Sequence, residues 1–384
     1  MQIILFDTPE IRKSMMPFSA IRSLADLRIG MYKIRERWDR TAKQPVYCLT
    51  EEYLEEDMPQ VSEHLIFISS DFIPDSKLIN TILQLKIGQS IFHNEKLLAF
   101  SANEILHYGF EQHDLKFTDK ISYTENIVCF KYPHEFVQLN AAQLKTDILQ
   151  ENDLKELPEG VIKQGAHPLI IEESAKLEPC YINTDDGPVY IGKNVLIMGG
   201  LQLRGPLAIL EGSVVKMGAQ IYGGTTIGKF CVAGGEIKNT IMMDYSNKAH
   251  GGYLGDALIG SWCNIGAGSS CSNLKNTTGD VRVWNPGCND WVGADMKCGV
   301  LLGDYARCAI NTSFNTGTVV GIGSQVICSG LTPKYIPDFT WNTETNERYQ
   351  SDKFIQVAEG WRRMKQKVMT EKERRVLLRL LSKL

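Results

Sequence analysis

From Ile191 onward an aliphatic residue recurs at every sixth position: Ile191, Ile197, Leu203, Ile209, Val215, Ile221 and Ile227. A half-buried strand alternates every two residues and a helix every 3.6, so neither explains this spacing. A short fixed period is the mark of a solenoid, and a period of six points to a parallel β-helix. Each short strand sends one aliphatic side chain inward, and stacked coils bury those chains in one continuous column. Glycine and asparagine supply the corners, as at Ile191-Gly192 and Ile227-Gly228. The phase is lost after Ile227 and returns at Ile259-Gly260 and Ile265-Gly266, with weaker echoes at Leu302-Gly303 and Ile322-Gly323. Upstream, Ile171, Leu177, Asn183 and Val189 already keep the spacing, so the solenoid is expected from His167 to about Pro333–Pro337.

The 165 residues before it read as an α/β domain. Ile3–Phe6, Val46–Leu49 and Leu65–Ser69 are expected strands. Asp26–Trp38 is an expected helix with Leu27, Met31, Ile34 and Trp38 on one side. Ser90–Phe92 and Leu97–Phe100 are expected to form a hairpin about the polar turn at His93–Lys96, and Val137–Leu149 a helix. Such alternation predicts a mostly parallel sheet covered by helices. Glu151–Gly165 is polar and reads as a connector. After the solenoid, Phe354, Val357, Trp361, Met364 and Val368 follow helical spacing. Thr370 with Glu373 fits a capping box at the head of a last helix running to Leu384. The expected division is therefore 1–165, 166–345 and a helical tail over 346–384.

Composition excludes several classes. A net charge of -4 over 384 residues argues against a nucleic-acid or anionic-membrane partner. No apolar run approaches the ~18 residues of a membrane span. The opening MQIILFDTPE has no basic leader and reads as a first strand, not a signal peptide. The ten cysteines include no Cys-x-x-Cys pair and fit a reducing cytoplasm better than a disulfide framework.

The break in phase holds the residues with chemistry. Glu236-Ile237-Lys238-Asn239 precedes Ser246-Asn247-Lys248-Ala249-His250-Gly251-Gly252-Tyr253-Leu254-Gly255-Asp256; Asn264-Ile265-Gly266-Ala267-Gly268 and Cys271-Ser272-Asn273 follow. No histidine other than His250 occurs after His167. Acyl transfer to an amine needs a base near neutral pH, and imidazole is suited to it. Backbone N–H groups at a small-residue turn such as Ala267-Gly268 are candidate oxyanion donors. The same residues also fit plain structural roles, with Tyr253 and Asn264 closing coils and Lys238 and Lys248 as solvated charges.

These motifs resemble the acetyltransferase half of the bifunctional glucosamine-1-phosphate N-acetyltransferase / N-acetylglucosamine-1-phosphate uridylyltransferase family. The resemblance covers about a quarter of the chain. It implies a left-handed parallel β-helix of hexapeptide repeats, a homotrimer, and acetyl-CoA as acyl donor. It further implies His250 as catalytic base, with Glu236, Lys238, Lys248, Tyr253, Asn264 and Asn273 binding the amino-sugar phosphate. Ala267 and Gly268 would serve the acyl donor or the oxyanion. The chain departs from the pattern in two places: a glycine before His250 is missing and one after it is extra, and Gln220 stands where the family has an arginine for the phosphate.

The N-terminal part is similar to a divergent branch of the sugar nucleotidyltransferases, through Leu5-Phe6-Asp7 and Ala25-Asp26-Leu27-Arg28-Ile29-Gly30. That branch lacks the usual glycine-rich loop. The resemblance implies a nucleoside triphosphate held by Arg12, Lys13, Arg22 and Arg28. It also implies Mg²⁺ on Asp71, with Glu135 or Asn140 as further ligand. The expected function is a bifunctional sugar-1-phosphate nucleotidyltransferase and amino-sugar-phosphate N-acetyltransferase. Two alternatives stand beside it. One is nucleotidyl transfer alone, glucose-1-phosphate thymidylyltransferase-like, with the β-helix as a trimerisation scaffold. The other is a sugar-nucleotide-binding regulator without catalysis.

Overall fold

A computed structural model describes residues 1–54, 56–59, 64–151, 157–345 and 347–383. The chain divides into two compact units: Met1–Leu27 with Tyr32–Tyr132, and Arg28–Met31 with Pro133–Leu384.

The first unit is built on a six-stranded sheet, in the order Tyr47–Leu49, Gln2–Phe6, Leu65–Ser69, Lys96–Ala102, Gln89–His93, Asp119–Ser122. The first three strands are parallel. Their near-continuous apolar runs suit strands buried on both faces. Lys96–Ala102 runs antiparallel to both Leu65–Ser69 and Gln89–His93, so the sheet is mixed and less parallel than expected. Helices α1 (Pro9–Ser14), α2 (Ile34–Ala42) and α3 (Ser76–Leu83) complete this unit. One helix over Asp26–Trp38 is not what forms. The chain makes a short turn at Leu24–Asp26 and the two strands Arg28–Ile29 and Tyr32–Lys33, and helix begins only at Ile34. The apolar spacing was real, but the turn at Gly30-Met31 divides it between a loop and a shorter helix.

The second unit is a parallel β-solenoid whose three sheets wrap one apolar column. The first sheet stacks Val161–Gln164, Cys180–Asn183, Gln202–Arg204, Gln220–Ile221, Glu236–Lys238 and Tyr253–Gly255. The second has nine strands, from Leu169–Ile171 to Tyr335–Ile336. The third runs from Lys176–Leu177 to Asn247–Lys248 and continues through Asn264 to Arg307–Cys308 and Gln325–Val326. The six-residue repeat is the interior: Ile191, Ile197, Leu203, Ile209, Val215, Ile221 and Ile227 are all buried in one cluster with Ile237, Leu254, Ile259 and Leu302. Each such side chain contributes about 1.5–3 kcal/mol by burial. Pairing begins at Val161, six residues before the expected start at His167. The part of the expected connector at 152–156 lies outside the described residues. Helix α4 (Pro133–Ile148) belongs to this unit, its Asn140 side chain donating to Gly224 O and Thr226 Oγ1.

Two irregularities explain the broken phase. Between Ile227 and Ile259 the coils shorten, so that Ile227 pairs with Met242. Beyond Asn273 the coil is interrupted by an antiparallel hairpin, Arg282–Asn285 with Asp290–Gly293. One corner carries an aromatic column, Phe230, Tyr245, Trp262 and Tyr305, each at positive φ, with adjacent rings stacked. Helix α5 (Ser351–Met364) caps it: Phe354 packs edge-on against Tyr305 and Phe339. Arg362 lies 4.5 Å over the Trp262 ring, donates to Tyr305 Oη and pairs with Glu373 of α6 (Glu371–Ser382). The expected capping box of Thr370 and Glu373 is present, and Leu384 lies outside the described residues. The buried stripe of α5 is Phe354, Ile355, Ala358 and Arg362; Met364 and Val368 are exposed. A buried arginine, invisible to an apolar count, shifts that stripe. Trp341, expected in irregular chain, lies in a short strand, Thr340–Asn342. Among the described residues, no helix is long and apolar enough to cross a membrane.

Candidate functional site

The first sheet collects most of the residues singled out above. Parallel register sets Gln202, Gln220, Glu236 and Tyr253 side by side, and Lys238 beside Gly255. With a side-chain period of two, these residues share the outer face of the sheet. Asn273, from the coil that follows, donates to Tyr253 Oη at 3.2 Å and to Asp256 Oδ2. The other oxygen of Asp256 accepts from Asn239 at 2.7 Å. Asp256 thereby fixes two amides, one of which fixes the tyrosine. Burial first, then Asp256 and Glu236, push the Tyr253 hydroxyl up to about 12, so it stays protonated and able to donate. Asp256 and Asn239 are not among the site residues the sequence predicts. Their signal is positional: both sit at positive φ just after first-sheet strands.

His250 lies at the corner where the third sheet passes into the first, and it is exposed. Its loop is held from beneath. The Lys248 Nζ donates to the carbonyls of Gly234, His250 and Gly251 at 3.2, 2.7 and 3.4 Å. Lys248 is only 2% exposed, so it is a strut for the histidine loop and does not reach a substrate. Burial lowers its amine to about 8. Gly252 presses the loop onto the next coil at φ 108, and a Cβ there would collide with Ser269 O. Position 252 therefore takes a glycine.

Ala267 and Gly268 occupy the next corner, but the Gly268 N–H donates to Gly251 O at 3.1 Å. That donor is already engaged, which leaves the Ala267 N–H as the candidate for an oxyanion. Asn264 bridges Asn247 and Arg307 along the third sheet, away from the Tyr253 face.

In the first unit, Asp7, Thr50 and Asp71 gather at the carboxyl ends of the three parallel strands, the usual ligand edge of such sheets. Arg12 is not free to hold a phosphate there. Buried, it pairs with Asp7 at 3.1 Å and donates to Thr50 Oγ1, Ser19 O and Arg22 O. Lys13 is exposed and Arg22 half-buried. Arg28 belongs to the second unit, where it pairs with Asp244 at 3.1 Å. Asp71 accepts from Ser69 and pairs with Lys96 at 2.8 Å. Asn140 is buried and fully engaged, also accepting from Gly30 N, so it is not a metal ligand. Glu135 begins α4 in the second unit. Among the described residues no cluster of three or more metal-ligating side chains forms.

Residues 3–152 match the family model described as sugar nucleotidyl transferase. The "Bifunctional protein GlmU" of Methanococcus vannielii is 30% identical over 132 residues, 34% of this chain and 29% of that protein. The protein of the same name from Methanocaldococcus jannaschii is 29% identical over 143 residues, 37% of this chain and 32% of its own. That of Bartonella quintana is 27% identical over 179 residues, 44% of this chain and 33% of its own. The chain thus spans about a third of the length of the curated relatives it matches. By these matches, residues 3–152 are similar to the sugar nucleotidyl transferases, and parts of the chain are similar to the GlmU proteins.

Proposed function

We propose that the chain is a two-activity transferase of nucleotide-sugar supply, with an N-acyltransferase on the solenoid and a nucleotidyltransferase over 1–165. The observation that carries the first activity is the exposed His250 on a loop braced by Lys248, beside the Tyr253–Asn273–Asp256 network. The amine of an amino-sugar phosphate attacks the thioester carbonyl of acetyl-CoA. His250 takes the amine proton, the Ala267 N–H faces the developing oxyanion, and the C–S bond breaks. The protonated imidazole then returns the proton to the departing CoA thiolate. Glu236, Tyr253 and Asn273 orient the sugar and Lys238 meets its phosphate; Asn264 acts from the third sheet. A homotrimer would complete the groove, a reading supported by the exposed apolar residues Met217, Ile310 and Leu331 on the solenoid. Ten free cysteines support a cytoplasmic setting.

The nucleotidyl half rests on the family match and on the strand ends that gather Asp7, Thr50 and Asp71. Lys13 and Arg22 remain as its phosphate candidates. Mg²⁺, usual for this chemistry, has no fitted site on Asp71 while Lys96 holds that carboxylate, and no step is routed through it. The pairings of Arg12 and Asp71 favour a second reading, in which this unit binds a sugar nucleotide without transferring it.

Release of CoA thiol from acetyl-CoA, measured against a panel of amino-sugar phosphates, tests the acyl half. Acceptor-dependent release that falls about 10²–10⁴-fold in His250→Ala supports it; release unchanged in that variant refutes the assigned base. Pyrophosphate release with a panel of nucleoside triphosphates separates transfer from mere binding in the first unit.

A further inference from the structure

Below Tyr253 the first sheet bears two hollows that the reading above leaves unused. One, of about 530 Å³, is lined by Arg204, Tyr222, Lys238, Asn239, Asp256 and Lys297, among others. The other, of about 210 Å³, shares Arg204 and Tyr222 and adds Tyr181, Asn183, Gln202 and Gln220. The two meet at Arg204 and Tyr222, and no residue of the His250 loop lines either.

The coil aligns its charges. Arg204 ends one strand, Tyr222 follows the next and Lys238 ends the third, all in one column with Gly255. The Lys238 Nζ lies 6.0 Å from the centre of the Tyr222 ring. Arg204 uses its Nε on Asp186 at 2.5 Å, and its side chain is exposed. Strands lie about 4.8 Å apart and rise about 3.3 Å per residue, so the Lys238 Cα is about 8 Å from that of Tyr253 and the Arg204 Cα about 16 Å. A single phosphate on a sugar seated at Tyr253 reaches Lys238. It does not reach Arg204; a second phosphate farther out would meet that guanidinium, in competition with Asp186. About Arg204 stand two tyrosine rings and three side-chain amides, Tyr222 and Gln220 one strand nearer Tyr253, Tyr181 and Asn183 one strand farther, a set that stacks on a flat heterocycle and bonds to its edge.

Resting on the acyl-transfer reading, the geometry points to a nucleoside-diphosphate amino sugar, and not a sugar 1-phosphate, as the acyl acceptor. The amine lies at the His250 corner and the diphosphate runs from Lys238 to Arg204 with Lys297 alongside. The base occupies the hollow between Tyr222 and Tyr181. Gln220 then has a reason to be an amide: it faces a base where the family places a cation.

The test compares CoA release by the full chain with glucosamine 1-phosphate, UDP-glucosamine and dTDP-glucosamine. A nucleotide-linked acceptor is expected to win by about tenfold or more in kcat/KM. Arg204→Ala, an exposed change, is expected to raise its KM about tenfold with kcat held within about twofold, and Lys297→Ala to act in the same direction. Equal use of both acceptor types, or a KM unmoved by Arg204→Ala, overturns the inference and leaves acyl transfer standing. No release with any of the three sinks the acyl-transfer reading and this inference together.

Discussion

Replacing Lys248 by methionine tests whether the histidine loop is held from inside. In the folded chain the ammonium donates to three carbonyls. Gly251 O keeps the Gly268 N–H after the change, whereas Gly234 O and His250 O lose the Lys248 donor. Each stranded carbonyl costs about 1–3 kcal/mol, or about 2–6 kcal/mol together. Removing a buried charge offsets part of this, because burial already holds the amine at about 8. A net loss of about 1–4 kcal/mol is expected in denaturant unfolding. The larger effect is on rate. A catalytic group displaced by about 1 Å can lose about 10²-fold, so kcat for CoA release should fall by that order while KM changes little.

The pH dependence gives an independent reading. In the folded state the Lys248 amine titrates near 8, against 10.5 when unfolded. Between those values the unfolded chain binds the extra proton, so Lys248 adds stability as pH rises through that window. Lys248→Met should abolish this contribution. Unchanged kcat, together with an unaltered stability slope from pH 8 to 10.5, would refute the strut.

Other expectations follow from single contacts. Gly255→Ala places a Cβ against Tyr253 Oη; acyl transfer should drop about tenfold or more with little loss of thermal stability, because the strand backbone tolerates alanine. Asp7→Asn breaks the buried pair with Arg12 and should destabilise the first unit by about 3–5 kcal/mol, read in urea unfolding. Arg362→Ala removes the bonds to Tyr305 and Glu373 and the stacking on Trp262. It should cost about 2–4 kcal/mol and expose α5 and α6 to hydrogen exchange while the coils stay protected.

The solenoid was legible because its interior is periodic. One buried aliphatic per strand leaves a regular mark whatever the outer residues are, and the capping box at Thr370 is equally local. The motif about His250 could be read for the same reason, as its residues follow one another within two coils. Arg204, Tyr222 and Lys297 could not be read this way. Tyr222 lies eighteen positions after Arg204 but sixteen before Lys238, since the coil shortens between them, and Lys297 returns only after the inserted hairpin.

The sequence by itself determined the coil, its corners and the residue types able to do acyl chemistry, because backbone period and local caps depend only on near neighbours. Tertiary structure decided which of those residues are available. Lys248 and Arg12 look like substrate ligands in one dimension. Each is instead buried and bound to groups brought in from elsewhere along the chain, Gly234 for the first and Asp7 with Thr50 for the second. A buried cation must find acceptors inside the protein, and only the folded chain shows whether any are left for a ligand.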